Sequence, residues 1–511
     1  MTTDATAERS RAHAGPASRA GSDPDAAPLA VLVVGAGISG IGAAWHLHTQ
    51  RPGTRFLVLE SKDTFGGTWV THRYPGIRSD SDLYTFGYRF KPWMGKPIAT
   101  AEEILSYLGE VIEEGGLAPR IRYRHAIERA SWSQARRLWT VAVHRLDTGE
   151  RFELSARFLW MCQGYYRHEG SYTPSWPGMA DFRGRVVHPQ HWPDELDLAG
   201  KRVVVIGSGA TAATLVPAIA GRCAHVTMLQ RSPTWFITGR NANALADTLR
   251  ELDLPPEWIH EIVRRKILFD QKQLQRRSKE DPHGLARDLL ANVRAQAGPD
   301  VDVDRHFTPR YRPWQQRIAF VPDGDLFAAV RAGTASVVTD VIERFVPGGI
   351  ELRSGEVLEA DVIVTATGFE LSVMGDIPFD VDGRPVDFSR TVGWRGLMFT
   401  GVPNMAWVFG YFRAAWTLRV DIVADFVCRL LAHMEASGAT RVEPRLREAE
   451  RDMPLRPWVD EENFNPGYLQ RGMDRLPRQG DRAPWLHTQD FHVDREDLPA
   501  ADLDDGSLAF D

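Results

Sequence analysis

The amino-acid sequence predicts an α/β protein with two Rossmann-like dinucleotide-binding domains and a helical insert in the second. Two copies of one pattern, a buried strand followed by a glycine-rich loop, a helix and another strand, carry this prediction at residues 30–60 and 201–231. The chain has 511 residues, of which 43% are hydrophobic, enough for two or three domains with their own cores. Its 61 Lys and Arg nearly balance 67 Asp and Glu, which excludes a basic nucleic-acid-binding protein.

The first copy starts with a valine-rich run at 30–34 and continues into the loop Gly35-Ala36-Gly37-Ile38-Ser39-Gly40. Glycines at this spacing let the backbone approach a pyrophosphate at a helix N-terminus, so Gly35, Gly37, Ser39 and Gly40 are predicted to bind a dinucleotide. The second strand of the copy, at 56–60, ends in Glu60, which suits the hydroxyls of a ribose. The alternative is a glycine-rich turn with an exposed glutamate.

The second copy runs from KRVVVI at 201–206 through Gly207-Ser208-Gly209-Ala210-Thr211-Ala212 to the strand at 225–230. Where the first copy has Glu60, this copy has Arg231-Ser232. An acid suits a free 2′-hydroxyl and an arginine suits a 2′-phosphate, so the first unit is predicted to bind FAD and the second NADPH. The predicted NADPH contacts are Gly207, Ser208, Gly209, Ala210, Thr211, Arg231 and Ser232. Alternatively, Arg231 is a solvated charge at a strand end.

Two further segments favour a flavoprotein. Gly66-Gly67-Thr68-Trp69 follows the second strand, and its close glycines predict flavin contacts at Gly67, Thr68 and Trp69. A buried strand in ADVIVTATGFE (360–370) precedes Gly368, which is suited to returning the chain to the FAD domain. The three cysteines, Cys162, Cys223 and Cys428, form no redox pair and no metal-binding spacing, so electrons are expected to pass to oxygen and no metal is predicted.

The segment between the two copies carries Phe182, Gly184, His188, Trp192 and Pro193 in the spacing FxGxxxHxxxWP. This pattern resembles the fingerprint of the Baeyer–Villiger monooxygenases. An interdomain linker with an aromatic cluster, or a metal site at His188 and His191, would be the alternatives, but two histidines alone are too few ligands. RYPGIRSDSD (73–82), YRPWQQR (311–317) and FNPGYLQRGMDRLPRQGDRAPW (464–485) are similar to the ethionamide-activating members.

This resemblance extends over residues 28–490, although the Lys-Arg-Pro-Pro stretch of many members is absent. It implies that NADPH reduces FAD and that one atom of O2 is inserted beside a ketone carbonyl to give an ester or lactone. It also implies that Arg317 stabilises anionic oxygen, that Asp80 pairs with Arg317, and that His188 and Trp192 couple NADP to the FAD domain. Asp80 as a turn residue remains an alternative. Sulfoxidation of thioethers is expected as an additional activity. The competing functions are an N- or S-oxidising flavin monooxygenase that acts mainly on soft nucleophiles, and a non-catalytic flavoprotein.

The predicted organisation has a disordered tail at 1–28, an FAD domain at 29–168 and 360–511, and an NADPH domain at 169–359. The insert, at about 241–300, has helical periodicity and is expected to cover the active site. Its basic run, Arg264-Arg265-Lys266, is typical of a solvated face, with a membrane or an acidic partner as the alternative. Without a signal peptide or an 18-residue apolar run, the expected location is the cytoplasm with no integral membrane segment, while peripheral membrane contact stays open.

Overall fold

A computed structural model describes residues 27–511, so the predicted tail at 1–28 lies outside the described residues except for its last two positions. The helices of the described part are α1 Ile38–Gln50, α2 Thr68–Thr71, α3 Leu83–Phe86, α4 Ala101–Glu114, α5 Ala210–Ala220, α6 Ala244–Glu251, α7 Pro256–Glu280, α8 Pro282–Ala297, α9 Val303–His306, α10 Asp325–Arg331, α11 Thr417–Ser437, α12 Gly467–Gly472 and α13 Phe491–Asp497.

The strands of the same part are β1 Leu29–Val34, β2 Phe56–Leu59, β3 Ile121–Arg122, β4 His125–Ser133, β5 Leu138–Arg145, β6 Arg151–Met161, β7 Tyr166–Ser171, β8 Arg185–Val187, β9 Arg202–Ile206, β10 His225–Gln230, β11 Phe236–Gly239, β12 Ala319–Pro322, β13 Ala335–Thr339, β14 Ile342–Val346, β15 Gly349–Leu352, β16 Val357–Glu359, β17 Val362–Thr365, β18 Phe369–Leu371, β19 Phe379–Val381, β20 Arg384–Pro385, β21 Gly393–Trp394, β22 Met398–Phe399, β23 Met405–Trp407, β24 Val442–Pro444, β25 Arg456–Pro457, β26 Arg478–Gln479 and β27 Leu508–Phe510.

The first sheet contains the first glycine loop. Its strands run in the order β20-β19-β4-β5-β6-β1-β2-β3, and β23 pairs with β6 beside this path. The predicted valine-rich strand β1 is parallel to both β2 and β6, and its side chains Val31–Val33 are fully buried. Helix α1 packs against β1 on one side and against α11 on the other. Burial on both faces explains why β1 is a continuous apolar run.

The second sheet contains the second glycine loop. It has five parallel strands in the order β13-β10-β9-β17-β8. Strand β17 lies between β9 and β8, so the predicted domain boundary at 360 is wrong by several residues. Val362, Ile363 and Val364 complete the buried centre of this sheet, and the chain leaves it only after Thr365.

Two antiparallel strands, β7 and β18, form the connection between the sheets. Gly368 precedes β18 with φ +102°, a conformation that favours glycine and lets the chain turn away from the second sheet.

The predicted insert consists of α6, α7 and α8, which pack on one another. One face of α7 is buried through Ile259, Val263 and Leu268. Arg264 is also buried, so the prediction that this residue belongs to a solvated face is wrong, whereas Arg265 and Lys266 are exposed. The Arg264 guanidinium donates to the carbonyl oxygens of Tyr84 (3.0 Å) and Gly87 (2.9 Å), which need donors at the end of α3. Among the described residues, no helix combines the length and apolar character that crossing a bilayer requires.

Candidate active site

The first glycine loop is shaped for a close-lying ligand. A Cβ atom on Gly40 would lie 1.8 Å from the Gly35 carbonyl oxygen, and Gly35 itself has φ +99°. Gly37 precedes α1 without any side-chain cap, so the first N–H groups of α1 are available to an anion. A Cβ atom on Gly37 would lie 3.5 Å from the Cα atom of Gly67, which places the GGTW segment directly against the loop. These glycines fit a dinucleotide whose pyrophosphate approaches the backbone.

Glu60 lies beneath this loop. Its side chain is buried, and its two carboxylate oxygens accept hydrogen bonds from the backbone N–H groups of Ala36 (2.8 Å) and Lys62 (2.9 Å). The alternative of an exposed glutamate is therefore wrong. Ser39 is buried too, and its hydroxyl accepts a hydrogen bond from the Trp416 indole at 2.7 Å. A direct phosphate contact of Ser39 stays a prediction.

Thr68 and Trp69 form the start of α2, immediately after Gly67. The Trp69 ring meets the ring of Phe86 edge-on, with centroids 5.7 Å apart. Both residues lie at the position that the sequence predicts for flavin contacts, and their binding role stays a prediction.

The second glycine loop has an open space above it. Gly207 has φ +131°, and a Cβ atom there would lie 2.3 Å from the Ala366 carbonyl oxygen. At Gly209, the residue preceding Ala210 and Thr211 of α5, an added Cβ would meet nothing within 4 Å. The Ser208 hydroxyl bonds to the Ser232 carbonyl oxygen (3.2 Å), which ties the loop to the end of β10. Arg231 is exposed there, and no ion pair involves it in the described part of the chain. The open space at Gly209 and the exposed Arg231 fit a 2′-phosphorylated dinucleotide.

The fingerprint segment lies at the connection between the sheets. Phe182 is buried, and a Cβ atom on Gly184 would lie 2.3 Å from the Asp361 carbonyl oxygen, which keeps β8 close to β17. Trp192 packs against the core of the second sheet, and the Pro193 carbonyl oxygen accepts from Leu196 N–H at 3.1 Å.

His188 connects this segment to Gly368. Its Nε2 lies 3.2 Å from the Gly368 carbonyl oxygen, and its Nδ1 accepts from Gln190 N–H at 3.2 Å. The two bonds agree on one neutral tautomer, with the proton on Nε2. Burial lowers the pKa of His188 to about 4, although the bond to Gly368 opposes this shift. His188 is therefore an uncharged link across the interdomain connection.

Arg317 and Asp80 form a hydrogen-bonded ion pair, as the resemblance implies. Arg317 Nη2 donates to Asp80 Oδ1 (2.7 Å) and to Ser81 Oγ (3.1 Å), while Nε donates to Asp80 Oδ2. Nη1 donates to the Phe412 carbonyl oxygen at 3.0 Å. Of the five N–H donors of a guanidinium, four are used and one on Nη1 remains. Burial alone would lower the pKa of Arg317, but Asp80 raises it above its ordinary value, so the charge is permanent.

A tyrosine cluster beside this pair was not predicted from the sequence. Tyr165 donates to the hydroxyl of Tyr166 at 2.7 Å, and the ring of Tyr468 lies 6.4 Å and 5.8 Å from their rings. Tyr165 also stacks on Trp416, with centroids 5.2 Å apart. Burial raises the pKa of Tyr165 and of Tyr468 well above the ordinary value, so these hydroxyls stay protonated. The signal for Tyr165 and Tyr166 was their place after the carboxyl end of β6, where α/β sheets bind ligands.

Two dinucleotide loops, and an arginine of the second domain that is fixed by Asp80 of the first, define an oxidoreductase with two nucleotide sites. Residues 33–93 match the family described as NAD(P)-binding Rossmann-like domain, and residues 98–268 match Flavin-binding monooxygenase-like. The FAD-containing monooxygenase EthA of Mycolicibacterium smegmatis is 44% identical over 94% of this chain and 96% of its own length. The putative FAD-containing monooxygenase MymA of Mycobacterium tuberculosis is 42% identical over 94% and 97%. The chain belongs to this family of FAD-containing monooxygenases.

A solved structure confirms the predicted fold class. An oxidized steroid monooxygenase bound to NADP superimposes with a TM-score of 0.72, at 23% identity, over 95% of this chain and 99% of that one. The two Rossmann-like domains and the helical insert of this chain therefore belong to a fold seen in a solved monooxygenase.

Proposed function

We propose that this enzyme is an FAD- and NADPH-dependent Baeyer–Villiger monooxygenase that converts ketones into esters or lactones with O2, with sulfoxidation of thioethers as a side activity. The observation that carries the proposal is Arg317, a permanent cation with one uncommitted N–H, held by Asp80 at the meeting point of both domains. Family membership and the fingerprint from Phe182 to Pro193 support it.

The cofactor assignment rests on the opposite charges of Glu60 and Arg231, which follow the second strand of each dinucleotide-binding unit. Gly35, Gly37 and Gly40, with Glu60 behind them and Gly67 in front, would hold FAD. Gly207 and Gly209 with Arg231 would hold NADPH, because the exposed guanidinium suits the 2′-phosphate. When bound, FAD supplies the hydride acceptance and oxygen activation that no amino-acid side chain provides.

The side chains of the candidate site then stabilise the negative charge that develops on the substrate and hold the cationic donor in place. The remaining Nη1–H of Arg317 donates to the oxygen atom on which negative charge develops as the ketone carbonyl is attacked. Asp80, Ser81 and the Phe412 carbonyl fix the guanidinium, so the donor does not have to reorganise during the reaction. The rings of Tyr165, Tyr166 and Tyr468 exclude bulk water from this side. An uncharged aromatic wall with a cationic donor fits a neutral ketone.

The domain division is proposed with a shifted boundary. The first domain comprises residues 29–168 and the segment after Thr365, and the second comprises the residues between them, including the insert α6–α8. The three cysteines are unpaired, as is typical of the reducing cytoplasm, where we place the enzyme.

The test supplies purified FAD-loaded enzyme with NADPH, O2 and either a simple aliphatic ketone or a thioether, and identifies the products. Ester from the ketone, formed in step with NADPH consumption, is the expected result. Sulfoxide without any ester would assign the chain to the N- and S-oxidising class instead. NADPH consumption that no substrate stimulates would contradict both.

A further inference from the structure

The three most exposed large apolar side chains of the described part lie on the insert. Of the nine in the described part, Leu252, Trp258 and Phe269 lie on or next to α6 and α7, with exposed fractions of 66%, 65% and 57%. A fourth, Met94, adjoins them, because Arg250 of α6 donates to its carbonyl oxygen at 3.0 Å. Isolated exposed apolar residues are ordinary, but exposed apolar residues grouped on neighbouring helices mark an interaction surface.

Helix geometry puts Trp258 and Phe269 on one line. Eleven residues turn an α-helix through about three full turns and advance it by roughly 16 Å, so both rings face the same way. The partly buried Ile262 and the exposed Arg265, Lys272 and Arg276 share that side, which we call the outer face of α7. The opposite side is the buried one, with Ile259, Val263 and Leu268. The helix therefore carries apolar side chains on both sides, and Trp258 and Phe269 on the outer face are exposed.

Cations border the outer face. Without the buried Arg264, α7 carries six cations and four acids, in a chain whose net charge is −6. Three of these cations, Arg265, Lys266 and Arg276, are paired with the acids Glu261, Asp270 and Glu280 one turn away, and all three pairs are solvent-exposed. Exposed pairs of this kind are weak and release their cation easily. Lys272 forms no ion pair within residues 27–511.

We propose that the outer face of α7 docks on a lipid bilayer surface containing anionic headgroups. Trp258 and Phe269 would enter the boundary between headgroups and acyl chains, while Arg265, Lys272 and Arg276 remain at the level of the phosphates. Aromatic rings flanked by cations match an anionic bilayer interface, where the rings enter the acyl boundary and the cations meet the phosphates.

Docking on this face brings the candidate active site around Arg317 near the lipid. Gln275 of α7 donates to the Arg413 carbonyl oxygen at 2.8 Å, and Arg413 follows Phe412, whose carbonyl binds Arg317. The helix thus spans from the outer face to the wall of the candidate active site. The docking itself does not depend on which oxygenation the enzyme performs.

The test is flotation of the full-length FAD-loaded enzyme with vesicles of phosphatidylcholine alone or with 30% phosphatidylglycerol. Wild type is expected to float with the mixed vesicles, and less so at high salt. The double variant Trp258→Ser/Phe269→Ser should bind at least tenfold more weakly. The matched control, Val357→Ser/Leu455→Ser, removes apolar side chains of similar exposure elsewhere (49% and 51%) and should bind as wild type.

A second double variant separates the contribution of charge from that of the apolar side chains. Lys272→Glu/Arg276→Glu leaves the apolar residues in place and should abolish the preference for the mixed vesicles. Flavin content and Tm check that each variant is folded. Failure of the wild type to float, or undiminished binding by Trp258→Ser/Phe269→Ser, overturns the proposal. So does sedimentation velocity without lipid that shows a dimer which these two substitutions dissociate, because the face would then bind a second copy.

Discussion

Replacing Arg317 by alanine tests how the proposed mechanism uses charge. The substitution deletes the uncommitted Nη1–H and the four hydrogen bonds that fix the guanidinium on Asp80, Ser81 and Phe412. Loss of one preorganised donor to a developing oxyanion costs about 10²–10³ in rate. The Asp80 carboxylate, left without its cation, adds unfavourable negative charge at the same place. We therefore expect ester formation to fall by about 10³ or more.

Flavin binding and hydride transfer do not use this donor, so both should survive in Arg317→Ala. Arg317→Lys keeps the charge, but an ammonium cannot reproduce the forked contacts, and an intermediate loss of about 10–100-fold is expected. Arg310→Ala removes an exposed arginine of the same loop and serves as the matched control.

Stopped-flow reduction by NADPH, followed by oxygenation with ketone present, separates the two half-reactions. Ester and hydrogen peroxide are then quantified for each variant. Arg317→Ala should be reduced and should return its electrons to oxygen mainly as hydrogen peroxide. Ester formation within about threefold of wild type would refute the assigned role of Arg317, and Arg413 or Arg78 would become the candidates.

Three further predictions concern the nucleotide sites and the connection between the domains. Arg231→Ala should lose a charge-assisted phosphate contact worth about 1.5–3 kcal/mol, and with it about 10- to 150-fold of the NADPH preference in kcat/KM; equal use of NADH and NADPH by the wild type would contradict the assignment. Glu60→Ala should lose FAD during purification without changing the NADPH-to-NADH ratio; full flavin content with weakened NADPH binding would mean the two sites are reversed. The pKa of His188 is about 4 in the fold and near 6.5 when unfolded, so stability should fall as pH drops from about 6.5 to 4; His188→Gln should show a smaller decrease in Tm over this range, and an equal decrease would remove His188 as a contributor.

The sequence was sufficient for the parts of the fold set by local pattern. Both glycine loops, their flanking strands and the long helix of the insert lie where periodicity and spacing predict them. The boundary at 360 failed because a buried strand such as β17 has the same composition in either sheet. Its partners, β9 and β8, are set by tertiary packing.

The candidate site was predictable only in part, because its residues are also brought together by tertiary packing. The family resemblance indicated Arg317 and Asp80, whose contact spans 237 residues of sequence. Tyr468 comes from a segment about 300 residues after Tyr165, and nothing in the local sequence connects them. Arg264 was misassigned because a basic run shows charge but not the unsatisfied carbonyl oxygens of α3 that one of its members reaches.

Isotope labelling shows directly whether this enzyme inserts one atom of O2 beside a ketone carbonyl. The FAD-loaded enzyme is given NADPH, a simple aliphatic ketone and ¹⁸O₂, and the product is analysed by mass spectrometry. The expected product is an ester that carries one ¹⁸O atom and forms in proportion to the NADPH consumed. NADPH consumption that ends in hydrogen peroxide, with the ketone unchanged or any ester unlabelled, would contradict it.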